Sequence, residues 1–160
     1  MVIGYRDLRK RLEEKGQKVV VLPQLQEAND LPCDTGSPRE ELEANPEYAG
    51  LDFSGLTPDW NSNKGFYAAT TPALQQRARW VRRWLRDRPE REIVVVAHAD
   101  ILRIITEGYN SHRWWANAEV REYTFRDEEE KDVQGEAWVI PVETIAKKGT
   151  EAPSSSEMVH

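Results

Sequence analysis

The chain has 160 residues, a length typical of one domain with a single buried core. Its 39% hydrophobic and 31% charged residues suit a globular protein with a polar surface, and its net charge of −6 argues against a nucleic-acid binder, which needs basic surface to neutralise phosphates. Because Cys33 is the only cysteine and no apolar run is long enough to span a bilayer, we expect a cytoplasmic protein with no internal disulfide and no membrane contact.

The first segments of the chain alternate between helix, strand and loop. Apolar residues spaced three and four apart predict a helix that ends near Gly16. Lys18–Leu22 then has the apolar run of a short buried strand. Turn-forming residues predict a loop over residues 23–36, and a Ser-Pro start predicts a helix over 37–45.

A long loop and the most strongly periodic helix follow. Residues 49–70 show no clear period and carry several aromatic side chains; a loop of this length is usually functional or mobile. A helix begins at Thr71 and ends before Pro89, with an apolar stripe that includes Leu74 and Val81. Its arginines lie largely off the stripe. They are Arg77, Arg82, Arg83, Arg86 and Arg88.

The second half contains a strand that ends in a histidine. Glu92–Ala97 has the continuous apolar run of a fully buried strand, and His98 follows at its carboxyl end. Ile101–Glu107 then predicts a short helix that Gly108 closes. In open α/β sheets, ligands bind at the carboxyl ends of the strands, so His98 lies where a site is expected.

Two more strands and a polar tail complete the chain. Val120–Phe125 and Glu136–Val142 predict strands that can form a hairpin, and Pro141 places the second at an edge or at its end. Residues 146–160 are small and polar, which predicts a disordered tail after a domain over residues 1–145. The alternation of helix and strand predicts an α/β domain with a mostly parallel sheet.

Glu27 and His98 are the candidate catalytic residues. Glu27 follows the first predicted strand as His98 follows the second, and a carboxylate beside an imidazole can serve as a general acid. The structural alternatives are that Glu27 is an exposed acid in a loop and that His98 only makes hydrogen bonds within the protein at the end of its strand.

Glu119 and Arg121 follow two tryptophans, and their pattern has two interpretations. They form either a buried ion pair or a pair of side chains that holds the substrate. His98 and Asp100 are two residues apart, and no cluster of cysteine or histidine accompanies them, so we expect no metal. The sequence also lacks the glycine-rich phosphate and dinucleotide motifs, and we expect no cofactor.

Six segments occur together in an order that resembles one family. They are a strand, LQEANDLPCDTGS, DWNSNKGFY, a helix rich in Trp and Arg, VVVAHADIL, and WWANAEVREYTF. The sequence from about Gly4 to Val142 resembles the phosphoglycerate-mutase-like histidine phosphatase superfamily, in a branch common in filamentous fungi. The resemblance implies a three-layer α/β/α fold and phosphoryl transfer through a phosphohistidine.

The resemblance also implies roles for individual residues. His98 matches the family's second histidine, which binds the phosphoryl oxygens, and Glu27 matches the proton donor. Glu119 and Arg121 match a recurring motif, for which we expect a structural role or a contact with substrate. Asp100 stands where the family usually has a small residue, so it would either repel a phosphate or cap the following helix.

The chain departs from the family at the nucleophile. Its three histidines are His98, His112 and His160, and none lies in the Arg-His-Gly motif that carries the phosphohistidine. The resemblance therefore implies an incomplete, N-terminally truncated domain, whose remaining strands would close up or pair with another chain. A truncated gene model is a further explanation.

Three functions are compatible with these features. One is hydrolysis of a small phosphorylated metabolite. Another is an inactive or repurposed family member that assists a secondary-metabolite pathway or binds a metabolite. The last is an interaction module that uses the aromatic loop or open sheet edges, including self-association.

Overall fold

The computed structural model describes residues 2–125 and 135–142, with side chains from Leu8 onward. Within these residues the chain forms four α-helices and a two-stranded antiparallel sheet. The helices and strands are α1 (Val2–Glu14), α2 (Arg39–Ala44), α3 (Thr71–Arg86), α4 (Ala99–Glu107), β1 (Tyr123–Phe125) and β2 (Val139–Pro141). Single 3₁₀ turns lie at Pro23–Leu25, Pro32–Asp34, Pro46–Tyr48 and Gly65–Tyr67.

The main core lies between α3 and α4. Each helix buries aliphatic residues at three- and four-residue spacing, as the periodicity of the sequence predicts. Val81 and Ile101 are completely buried there, and burial of one such side chain contributes about 2 kcal/mol. Leu22, Leu25 and Ala97 pack against the same core, so the segments before Glu27 and His98 both reach it.

The long aromatic loop forms a second core of its own. Phe53, Leu56, Trp60 and Tyr67 are buried together, so residues 49–70 are packed despite their lack of regular structure. A Cβ on Gly36 would lie 2.0 Å from the Trp60 ring, so only glycine permits this close approach. The aromatic side chains in this stretch therefore have a packing role.

The C-terminal strands pair as a hairpin. β1 and β2 are antiparallel, with Thr124 opposite Ile140 and Tyr123 opposite Pro141, the last residue of β2. Arg82 ties this region to α3, because its guanidinium donates to the Glu136 carbonyl at 2.7 Å and lies 3.8 Å over the Trp138 ring. The prediction of a mixed α/β domain is confirmed.

The structure does not form the predicted parallel sheet among the residues that it describes. A strand was predicted over Lys18–Leu22, but only Val20 in this range pairs with another segment, through a single parallel β-bridge to Asp52. The segment predicted as a buried strand over Glu92–Ala97 has no strand partner, and Val94 is 90% exposed. An apolar run favours a strand, but a strand also needs a second backbone to receive its hydrogen bonds.

The predicted disordered tail over 146–160 and the domain end at 145 lie outside the described residues. In the described part of the chain, every helix is too short or too polar to cross a membrane.

Candidate functional site at the start of helix α4

Both candidate catalytic residues lie at the N-terminus of α4. His98 is the N-cap residue of this helix, and the Glu27 carboxylate accepts a hydrogen bond from the backbone N–H of Ile101 at 3.2 Å. The same oxygen, Oε1, accepts from the N–H of Ala28 at 2.7 Å. The structure thus brings Glu27 to within one helical turn of His98, although 74 positions separate Glu27 from Ile101.

A buried arginine holds the backbone of the Glu27 segment. Arg77 of α3 is 1% exposed, and its Nη2 donates to the carbonyl oxygens of Gln26 at 2.9 Å and Glu27 at 3.0 Å. Burial lowers the pKa of Arg77 to about 10, while the nearby Glu27 carboxylate acts in the opposite direction. The guanidinium therefore stays charged at neutral pH and compensates the Glu27 carboxylate.

Loop contacts fix the other side of this segment. The Gln26 side chain donates to the carbonyl of Trp60 at 3.0 Å. Asn61 donates to the carbonyl of Gly36 at 2.8 Å, and Asn63 donates to the Thr35 hydroxyl at 3.0 Å. The second core therefore anchors both ends of the loop that carries Glu27.

The His98 side chain is exposed and makes no hydrogen bond to any residue that the structure describes. Its backbone carbonyl accepts from the N–H of Leu102 at 3.0 Å, which begins the helix. The imidazole is therefore available to a ligand at the helix N-terminus, where backbone N–H groups and the helix dipole favour an anion.

Asp100 lies beside His98 but turns toward its own helix. Its carboxylate pairs with Arg103 at 3.1 Å, and Arg103 also donates to the carbonyls of Tyr109 and Ser111 at 2.8 and 2.9 Å. This pairing offsets the negative charge that would otherwise repel a phosphate. The helix-capping alternative is not formed, because the N-cap residue is His98.

Glu119 and Arg121 form an ion pair within their own loop. Arg121 donates to Glu119 at 2.6 and 3.0 Å and to the carbonyl of Trp114, and its guanidinium lies 4.2 Å over the Trp115 ring. Glu119 also accepts from the N–H of Ala116 at 2.7 Å. Within the described residues, the structure gives this pair no contact with Glu27 or His98, and a clamp for substrate stays a prediction.

The Glu119 carboxyl is expected to titrate below the ordinary pH of a glutamate. The hydrogen bond from Arg121 is the main cause of its lowered pKa, and the Ala116 N–H acts in the same sense. Because the Glu119 pKa is lower in the folded than in the unfolded protein, the charged carboxylate stabilises the folded loop at pH values above the unfolded-state pKa. This stabilisation is lost as the pH falls through the folded-state pKa. Carboxyl carbon shifts measured by NMR against pH test this expectation. Arg121→Gln should move the Glu119 midpoint upward, and an unchanged midpoint would contradict the assignment.

Arg77 and Arg82 are both buried, whereas the sequence pattern placed them largely off the apolar stripe. Spacing was the available signal, because Arg77 lies three residues after Leu74 and four before Val81, on the same face of α3. The burial of an arginine depends on acceptors from elsewhere in the fold, and here these are carbonyls 50 and 51 positions away.

A separate open groove runs along the outer face of α3. Trp80 and Trp84 stack there with ring centroids 6.3 Å apart. None of its lining residues belongs to the site around Glu27 and His98; they are Phe66, Gln76, Arg79, Trp80, Arg83, Trp84 and Asp87. The described residues contain no group of His, Cys, Asp or Glu side chains that could hold a metal ion.

Comparison with known proteins agrees with the resemblance in the sequence. The family model of the histidine phosphatase superfamily, branch 1, matches residues 8–134. No curated protein and no solved structure matches the chain. The family match covers well over half of the 160 residues and includes Glu27, His98, Asp100, Glu119 and Arg121. The chain therefore belongs to branch 1 of the histidine phosphatase superfamily.

Proposed function

We propose that the chain binds the phosphoryl group of a small phosphorylated metabolite at the N-terminus of α4 and hydrolyses its phosphomonoester bond. The observation that carries the proposal is the hydrogen bond from Ile101 N–H to Glu27, which brings the candidate proton donor beside His98. A helix N-terminus offers donors and positive potential to an anion, and the exposed imidazole adds a further donor.

Each residue has a distinct role in this proposal. His98 binds a phosphoryl oxygen and stabilises the charge that develops in the transition state. Glu27, in its carboxylic acid form, gives its proton to the leaving oxygen as the bond from phosphorus to that oxygen breaks. Water attacks the phosphorus, and the proton that this water loses returns Glu27 to the acid form. Arg77 is a positioning residue, because it contacts the Gln26 and Glu27 carbonyls and not the site itself.

A second candidate function is binding without phosphoryl transfer. The observation that favours it is the sequence itself, since none of its three histidines lies in an Arg-His-Gly motif. In this case the same site recognises a phosphorylated metabolite or a partner, and the protein assists a biosynthetic pathway without hydrolysis of its own.

Thermal unfolding with inorganic phosphate or vanadate tests whether the anion binds. A ligand that binds only the folded state raises the midpoint, by the equivalent of about 2.7 kcal/mol at a hundredfold excess over its dissociation constant. We expect this shift in the wild-type chain and its loss in His98→Ala. His112→Ala is the matched control, because His112 is also exposed and lies in another loop.

The two candidate functions separate in an assay with p-nitrophenyl phosphate. Turnover that disappears in both His98→Ala and Glu27→Gln supports hydrolysis. An anion-dependent shift without turnover supports binding alone. A shift that survives in His98→Ala would contradict both, because the site would then lie elsewhere.

A further inference from the structure

A second stripe of α3 carries tryptophan in place of aliphatic residues. Each of Gln76, Trp80, Arg83, Trp84 and Asp87 lies three or four residues from another member of the set, so they share one face of the helix. This face lies beside the aliphatic stripe that packs against α4. Trp80 is 37% exposed and Trp84 is half-buried. Neighbouring tryptophans at a surface are typical of binding sites, because a bound partner removes their large apolar rings from water.

A loop residue completes this face as a groove, called here the tryptophan groove. Phe66 lines it together with the residues of the stripe. The Phe66 ring packs edge-on against the buried Tyr67, with ring centroids 5.3 Å apart, and against the second core. The Trp80 and Trp84 rings are nearly parallel, with 15° between their planes. The aromatic rings of the groove are therefore already oriented, which lowers the entropy cost of binding a ligand there.

The size of the tryptophan groove fits a small molecule. Its volume of about 510 Å³ lies within the range of ligand pockets, roughly 300 to 1,000 Å³. Seven residues line it, whereas a stable protein interface takes roughly 20 to 30 residues on each side. A planar aromatic ligand has the shape and the apolar faces that stack on indole rings.

The charges of the tryptophan groove favour an anionic group on that ligand. Arg83 is exposed and makes no ion pair or hydrogen bond with any residue that the structure describes. By contrast, Arg79 pairs with Glu136, and the Asp87 carboxylate lies 3.5 Å from Arg86. Arg83 is therefore the guanidinium of the groove that can pair with a ligand, and a carboxylate matches its two parallel N–H donors.

We propose that the tryptophan groove binds a small planar aromatic carboxylate, whose ring stacks on Trp80 and whose carboxylate pairs with Arg83. These two residues are three apart on the helix, which places their Cβ atoms about 5–6 Å apart, so a ligand of two fused rings reaches both. None of the lining residues belongs to the site around Glu27 and His98. The groove is therefore a second site, separate from the proposed phosphoryl site.

Isothermal titration of the full chain with 2-naphthoate tests the proposal. We expect binding that is about tenfold weaker for 2-naphthamide, which lacks the charge, and for cyclohexanecarboxylate, which lacks the aromatic rings. Trp80→Ala and Arg83→Gln should each weaken 2-naphthoate binding by about tenfold. Trp114→Ala and Arg91→Gln are the matched controls and should leave it unchanged, because both residues are exposed and lie outside the groove.

Two further variants separate the groove from a change in folding and from the site at α4. Arg83→Lys keeps the charge and should weaken binding less than Arg83→Gln, with unchanged circular dichroism and unfolding midpoints in both. His98→Ala should leave 2-naphthoate binding unchanged, and a loss in this variant would place the ligand at α4 and overturn the proposal. No binding of 2-naphthoate, or equal affinity in the wild-type chain and Arg83→Gln, would overturn it as well. None of these measurements depends on phosphate binding, so the groove and the proposed function can fail independently.

Discussion

Replacement of Arg77 by alanine is expected to lower the free energy of unfolding by about 3 kcal/mol, which corresponds to roughly 10 °C in the midpoint of a chain this size. Arg77 is 1% exposed, and the change leaves the carbonyls of Gln26 and Glu27 without their buried donor. It also leaves a cavity beneath the loop that carries Glu27. Thermal and urea unfolding of the purified variant measure the loss.

Arg83→Ala is the matched control for this prediction. Arg83 lies on the same helix, six residues after Arg77, but its side chain is exposed. Its replacement should change stability by no more than about 0.5 kcal/mol. Similar unfolding midpoints for the two variants would mean that Arg77 does not support the Glu27 loop. A larger loss in Arg77→Ala, with a weaker response to phosphate, is the expected result.

Glu27→Gln is expected to tighten phosphate binding by about tenfold and to lower any turnover by about a hundredfold. The glutamine oxygen can still accept from the Ile101 and Ala28 N–H groups, so the loop keeps its position. The change removes the carboxylate charge beside inorganic phosphate, which favours binding of the dianion. It also removes the group that, once protonated, delivers a proton to the leaving oxygen, which abolishes general-acid catalysis.

Isothermal titration with phosphate and the p-nitrophenyl phosphate assay measure the two effects separately. Asp30→Asn is the control, because Asp30 is an exposed acid three residues further along the same loop. It removes the same charge without a contact at α4 and should change both quantities little. Weaker phosphate binding in Glu27→Gln would show that Glu27 holds the site open or binds the ligand itself, contrary to the proposed role.

The predicted helices that became α3 and α4 depend on local information. Their apolar residues recur at helical spacing, Pro72 suits the first turn of α3, and Gly108 ends α4 with a positive φ of 90°. These signals act within a few residues. They were therefore readable without knowledge of the fold, and α4 differs from its predicted start by only two residues.

The strand predicted over Glu92–Ala97 shows what a local sequence pattern cannot predict. Its apolar run predicted a buried strand, yet strand pairing and burial both require another part of a protein to lie alongside. Among the described residues no such partner is present, and Val94 and Val96 face solvent. The apolar pattern indicates that these residues favour burial. Only the tertiary structure shows that they are exposed in the single chain.

By itself, the sequence determined the helices, the hairpin, the family and the identity of Glu27 and His98 as candidates. These depend on residue type, spacing and motif order. The tertiary structure decided that Glu27 reaches the start of α4 and that Arg77 is buried under it. The turn of Asp100 toward Arg103 is instead local, because the two residues are three apart on one helix, where opposite charges pair. The Glu27 and Arg77 contacts join residues 50 to 74 positions apart. No local pattern encodes such distances, because they arise only when packed cores bring separate segments together.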